Sequence, residues 1–194
     1  MEKPLIPQKY QMLYLETARL RILDILFKFP EKEFSLSDLA KEAKVAKANI
    51  GKILKELHDI NFIEITKLNK IWRIKANQKN WYFVRSKIIY NLNFVYQSSL
   101  VEFLNEYFKN PKAIILFGSF RKGEDISGSD IDIAVETEEV KGCKVIGLKE
   151  LYELEKGIGR KIQIHLFNRK NINLNLFNNI ANGIVLFGFL EVKP

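Results

Sequence analysis

At 194 residues the chain is long for one compact domain and comfortable for two small ones, and 47% hydrophobic against 28% charged residues excludes a disordered chain. No apolar run approaches the roughly 18 to 20 residues that cross a bilayer, the start MEKPLIPQKY lacks a leader's apolar core, and a single cysteine, Cys143, excludes a disulfide framework; a cytoplasmic protein without a membrane partner is expected. The net charge of +8 asks for an anionic partner, and it is concentrated: residues 1–110 hold 19 basic and 12 acidic residues, residues 111–194 hold 12 and 11.

Apolar residues over 12–29 recur mostly at steps of three and four, which predicts a helix that Pro30 ends. Ser35, Leu36, Ser37 and Asp38 form the next start signal, because a serine hydroxyl caps free amides and Asp38 suits a first turn. That helix is short and ends near Ala43. After a turn at Lys44 and Val45, a third helix covers 46–57, with Ile50, Ile53, Leu54 and Leu57 on one face. Lys47, Asn49, Lys52 and Lys55 lie largely off that face, and His58 reads as a surface residue. Two β-prone runs, 62–66 and 71–75, flank a basic tip and read as a hairpin.

Three helices followed by a hairpin, with this third helix, resemble a winged helix-turn-helix over roughly residues 12–76. The resemblance implies that the third helix enters a major groove of duplex DNA while the wing contacts phosphates. Lys47, Asn49 and Lys52 are then base or phosphate candidates, and Lys67, Lys70 and Arg73 phosphate candidates. Ala48 and Gly51 leave the helix short of side chains that read bases well, so strong sequence readout by a single copy is not expected.

Residues 81–110 read as one long aromatic helix, a connector whose stripe is a core or a dimer seam, which leaves a homodimer open. Beyond it, 113–117, 131–135 and 161–167 read as strands, 148–157 and 174–182 as helices, and 183–188 as a last apolar segment. The expected organisation is a mainly helical domain over 1–79, a connecting helix over 80–110, and an α/β domain over 111–194.

Chemistry concentrates between Leu116 and Ile133. A buried strand runs into Gly118 and Ser119, where glycine admits a close ligand, a helix start offers free amides, and the serine adds a hydroxyl. Asp130 and Asp132 follow, two apart in a strand-like run, so both carboxylates point one way while Ile131 and Ile133 turn to the core. Two neighbouring carboxylates repel unless a cation lies between them, and oxygen ligands suit Mg²⁺ or Mn²⁺ carrying substrate phosphates. Phosphoryl transfer uses that arrangement.

Gly118, Ser119, Asp130, Ile131 and Asp132 at this spacing resemble the signature of the nucleotidyltransferase superfamily related to DNA polymerase β, in its minimal branch, over 111–194. The resemblance implies a twisted sheet backed by helices, a divalent ion on Asp130 and Asp132, and a nucleoside triphosphate, ATP favoured, at Gly118 and Ser119. Arg121 and Lys122 are phosphate neighbours by position. Active members place a third carboxylate on a nearby strand, expected here at 161–167; its alternation leaves Gln163 and His165 facing the site, and neither is an acid. His165 is the remaining candidate for ligand or base.

The leading expectation is transfer of an NMP to a macromolecular acceptor, with the winged helix binding DNA. Minimal members resemble the smaller halves of toxin–antitoxin pairs, which implies a protein acceptor. The alternative is a transcriptional regulator whose second domain only binds nucleotide or mediates dimerisation.

Overall fold

Thr17 opens the first helix of the computed structural model, which describes residues 17–68 and 71–192. Its hydroxyl accepts the Leu20 amide at 3.2 Å, capping α1 (Ala18–Lys28), and the expected start near residue 12 lies outside the described residues. Ser35 caps α2 (Leu36–Glu42) in the same way, its Oγ accepting the Asp38 amide at 3.1 Å. A turn leads into α3 (Lys47–Asp59), which buries Ile50, Leu54 and Leu57. The hairpin of β1 (Ile63–Leu68) and β2 (Ile71–Ala76) is antiparallel, and Phe34 adds a backbone bridge to Ile74. Ile22, Leu26, Leu39, Ile50, Leu54, Ile63 and Ile74 fill the common core. Each such side chain contributes about 1.5–3 kcal/mol on burial.

The chain divides into two compact units, one ending at Tyr90 and the other beginning at Asn91. The division falls inside α4 (Trp81–Gln97), within the stretch read as a connector. That stretch is not one helix. It breaks at Ser98 and Ser99 before α5 (Leu100–Tyr107). Ser98 Oγ donates back to the Val95 carbonyl at 3.1 Å and Ser99 takes a left-handed φ of 55°, so local serine bonding displaces the helical ladder.

The second unit is a five-stranded sheet in the order β5–β6–β4–β3–β7. These strands are β3 (Ala113–Phe117), β4 (Ile131–Glu136), β5 (Cys143–Ile146), β6 (Ile162–Phe167) and β7 (Ile184–Gly188). β4 and β6 run parallel; every other neighbouring pair is antiparallel. β5 has no counterpart among the elements expected from the sequence, because this edge strand carries exposed Lys144 and Val145 without a long apolar run. Burial pushes the Cys143 thiol pKa up, away from reactive thiolate.

Short helices complete the unit: α6 (Gly118–Lys122), α7 (Tyr152–Ile158) after one 3₁₀ turn, and α8 (Leu174–Ala181). Ile131, Ile133, Ile162 and Ile164 pack into one apolar layer with Leu100 and Leu104. Ala113, Ile115, Ala134 and Phe167 face the other, beside Ile180. The fold is therefore mixed α/β behind a helical N-terminal part. No described helix is long and apolar enough to cross a membrane.

Candidate functional site

The site begins where β3 stops. Phe117 ends the strand and Gly118, at a φ of 75°, turns the chain directly into α6. An L side chain would be strained in that conformation. Space is a second demand, since a Cβ on Gly118 would come within 3.1 Å of Asp132 Cγ and nearer still to its Oδ2. The Asp132 carboxylate thus packs on the glycine that opens the helix.

Asp130 stands one residue before β4 and Asp132 is its second residue. In the parallel register Asp132 pairs with Gln163 and Ala134 with His165, so Asp132, Gln163 and His165 share one face. Gln163 Nε2 donates to Asp130 Oδ2. His165 Nε2 lies 3.1 Å from Asp132 Oδ1, and the Phe117 ring meets the imidazole edge-on with centroids 4.9 Å apart. Among the described residues no lysine or arginine forms an ion pair with either aspartate.

That environment fits a hard divalent ion of the Mg²⁺ or Mn²⁺ class. Two half-buried carboxylates without a lysine or arginine ion pair leave negative charge to be balanced from solution. Among the described residues there is no cluster of three or more His, Cys, Asp or Glu placed to hold a metal by itself. The remaining ligands would be water and phosphate oxygens.

Two clefts border the site. One, of about 440 Å³, is lined by Gly118, Ser119, Arg121 and Lys122 together with Asn179 and Asn182 at the end of α8. Arg121 and Lys122 sit in the last turn of α6, so their charges reach the same cleft as the Gly118–Ser119 backbone. The other, of about 720 Å³, is lined by Asp130 and Gln163 with Lys149, Tyr152 and Lys161. Asn179, Asn182 and Tyr152 escape a reading of the sequence, because exposed polar or aromatic helix residues carry no spacing signal.

In the N-terminal unit, Lys47, Asn49, Lys52 and Lys55 are exposed on α3. Lys67 and Arg73 are exposed on the hairpin; Lys67 Nζ lies 4.8 Å from the Trp72 ring centre and Arg73 pairs with Glu33 at 3.5 Å. Lys70 lies outside the described residues.

A strand that runs into Gly118–Ser119, with Asp130 just before the neighbouring strand and Asp132 on it, marks the sheet as a known type. Residues 98–189 match the family model described as polymerase beta, nucleotidyltransferase. The C-terminal part is thus a nucleotidyltransferase-type domain. No curated protein is significantly similar to the chain. Among solved structures the chain is similar to Bordetella bronchiseptica BpsR, whose DNA binding is regulated by 6-hydroxynicotinic acid. The identity is 12%, with 54% of this chain and 84% of that one covered and a TM-score of 0.35. A possible transcriptional regulator from Methanosarcina mazei Go1 is similar at 19% identity, with 49% and 78% covered and a TM-score of 0.31.

Proposed function

We propose that the nucleotidyltransferase-type domain binds a nucleoside triphosphate, ATP favoured, with Mg²⁺ or Mn²⁺, and transfers NMP to a hydroxyl of a macromolecular acceptor such as a protein, the α–β phosphoanhydride bond breaking and pyrophosphate and the hydroxyl proton leaving. The observation that carries this reading is the contact of Asp132 with Gly118: it sets the acidic pair against the helix start, with no described lysine or arginine paired to the acids. Asp130 and Asp132 hold the ion, Gly118 and Ser119 the triphosphate, and Arg121 and Lys122 balance its charge. When bound, the ion supplies charge neutralisation at the phosphates and the attacking oxygen. His165 orients Asp132 through their 3.1 Å contact. The test is incubation with each labelled triphosphate and Mg²⁺ or Mn²⁺, with and without neighbouring gene products of toxin–antitoxin type. Absence of divalent-dependent label on any acceptor defeats transfer.

The helices and hairpin before Tyr90 act as a winged helix on duplex DNA through Lys47, Asn49, Lys52, Lys67, Lys70 and Arg73. Support comes from the exposure of the described members of this set on one helix and one hairpin, in the basic half of the chain. On α4, Tyr82, Ile89 and Tyr96 recur at seven-residue spacing and are 65%, 69% and 48% exposed, which favours a homodimer. A second reading, a transcriptional regulator whose nucleotidyltransferase-type domain only senses nucleotide, is favoured by Gln163 and His165 where active members carry an acid. Salt-sensitive operator binding that changes with ATP, without label transfer, selects it.

A further inference from the structure

Asp125 is fully buried and the Arg160 side chain is only 7% exposed, yet neither belongs to the candidate metal or phosphate positions. Arg160 Nη2 lies 2.9 Å from Asp125 Oδ2. Its Nη1 donates to the Ile126 carbonyl at 2.6 Å and to the Ser129 carbonyl at 3.1 Å. Asn91, also buried, donates its amide to the Phe120 carbonyl at 2.7 Å and to Asp125 Oδ1 at 2.8 Å.

Three pieces of the site meet at this cluster. Phe120 belongs to α6, which starts at Gly118 and Ser119. Ser129 immediately precedes Asp130 and closes a turn, its amide donating to the Ile126 carbonyl at 3.0 Å. Arg160 leads into β6, which carries Gln163. A buried ion pair is a poor device for stability alone, since desolvation offsets most of the attraction and apolar replacements often do as well. What a guanidinium adds is direction, a planar fork that fixes two carbonyls and a carboxylate at once.

We propose that Asn91, Asp125 and Arg160 are positioning residues, which hold the turn presenting Asp130 in fixed relation to the helix presenting Gly118 and Ser119. The proposal rests on the nucleotide-binding reading of that site. Lysine at position 160 keeps the charge and loses the fork, so it does not substitute.

The test compares the full-length wild type with Arg160→Lys, Arg160→Met and the double variant Asp125→Leu, Arg160→Met. Thermal midpoints, Mn²⁺·ATP affinity and residue-resolved amide exchange at 119–122 and 129–131 are measured for each. Arg160→Met leaves Asp125 buried without its guanidinium and lowers the midpoint; the double variant recovers most of that loss. Exchange in both segments nevertheless stays roughly tenfold faster than in wild type, and Mn²⁺·ATP binds roughly tenfold more weakly. If exchange and affinity return together with the midpoint, the cluster is structural only and the proposal is overturned. Should the double variant not fold, Arg160→Lys decides by the same exchange measurement, and wild-type exchange there overturns it. A wild type that binds no Mn²⁺·ATP sinks the nucleotide reading, while exchange still decides the positioning role.

Discussion

Gln163→Asp supplies the acid that the nucleotidyltransferase-type site lacks, and its effect changes sign with the metal. Without metal, Asp130 loses the Nε2 donor and gains a third carboxylate on the same face. A hydrogen bond to a charged group is worth about 1.5–3 kcal/mol, and like charges roughly 5 Å apart repel by about 3 kcal/mol at an effective dielectric of 20. Both figures shrink at a partly exposed site, leaving a loss of about 2 kcal/mol. For a domain of ~100 residues that lowers the thermal midpoint by ~8–16 °C. With metal and ATP the added carboxylate becomes a ligand. At a ligand concentration ~100-fold above Kd the wild type gains about 2.7 kcal/mol, and a tenfold tighter site gains about 1.4 kcal/mol more. Calorimetry in chelator and in Mg²⁺·ATP therefore shows a lower baseline and a larger increment for Gln163→Asp than for wild type. Label transfer rises in parallel. An unchanged chelator midpoint, or an increment no larger than that of wild type, refutes the placement of Gln163 beside the cation.

Three further outcomes are expected. The double change Asp130→Asn, Asp132→Asn abolishes the metal-dependent part of the ATP-induced midpoint shift, measured by the same calorimetry; a retained shift removes these residues as ligands. Gly118→Ala costs about 1–3 kcal/mol for the left-handed backbone alone and pushes Asp132 away, so denaturant unfolding shows the loss and ATP no longer protects. Lys47→Ala with Lys52→Ala weakens duplex DNA binding and flattens the log–log salt dependence by ~0.9 for each phosphate that is no longer neutralised, read by titration at several salt concentrations.

Much of the site is legible in the sequence because its signals are local. Continuous apolar residues from Ala113 to Phe117 make a buried strand, and Gly118 ends it. Strict alternation of Ile162, Ile164 and Leu166 places Gln163 and His165 on one face, where the register sets them beside Asp132 and Ala134. The break at Ser99 is not legible, since two serines in an aromatic helix carry no breaker as strong as Gly or Pro. Nor is the buried cluster. Asp125 lies in a polar loop that reads as solvated, and Arg160 follows a glycine like any surface charge. Asn91 is one of several polar residues in a long aromatic helix, and nothing in its spacing sets it apart. Only packing brings the three together, and packing has no spacing in the chain.

The role of Gln163 itself turns on one measurable sign. In the metal-free protein its amide nitrogen donates to Asp130, so an arriving cation competes with that bond. If the amide only competes, Gln163→Leu frees the carboxylate and divalent binding tightens. The hydrogen bond, discounted for partial exposure, is worth about 1 kcal/mol, which corresponds to roughly fivefold in Kd. If the amide instead rotates and offers its oxygen, leucine removes a ligand and binding weakens. A carboxamide oxygen is a poorer ligand than water-stripped carboxylate and would leave Asp130 without its donor, so tightening is the expected result. Mn²⁺ titration by electron paramagnetic resonance, with ATP present, reads the change directly, and weaker binding in Gln163→Leu would overturn the competition argument by making Gln163 part of the coordination sphere.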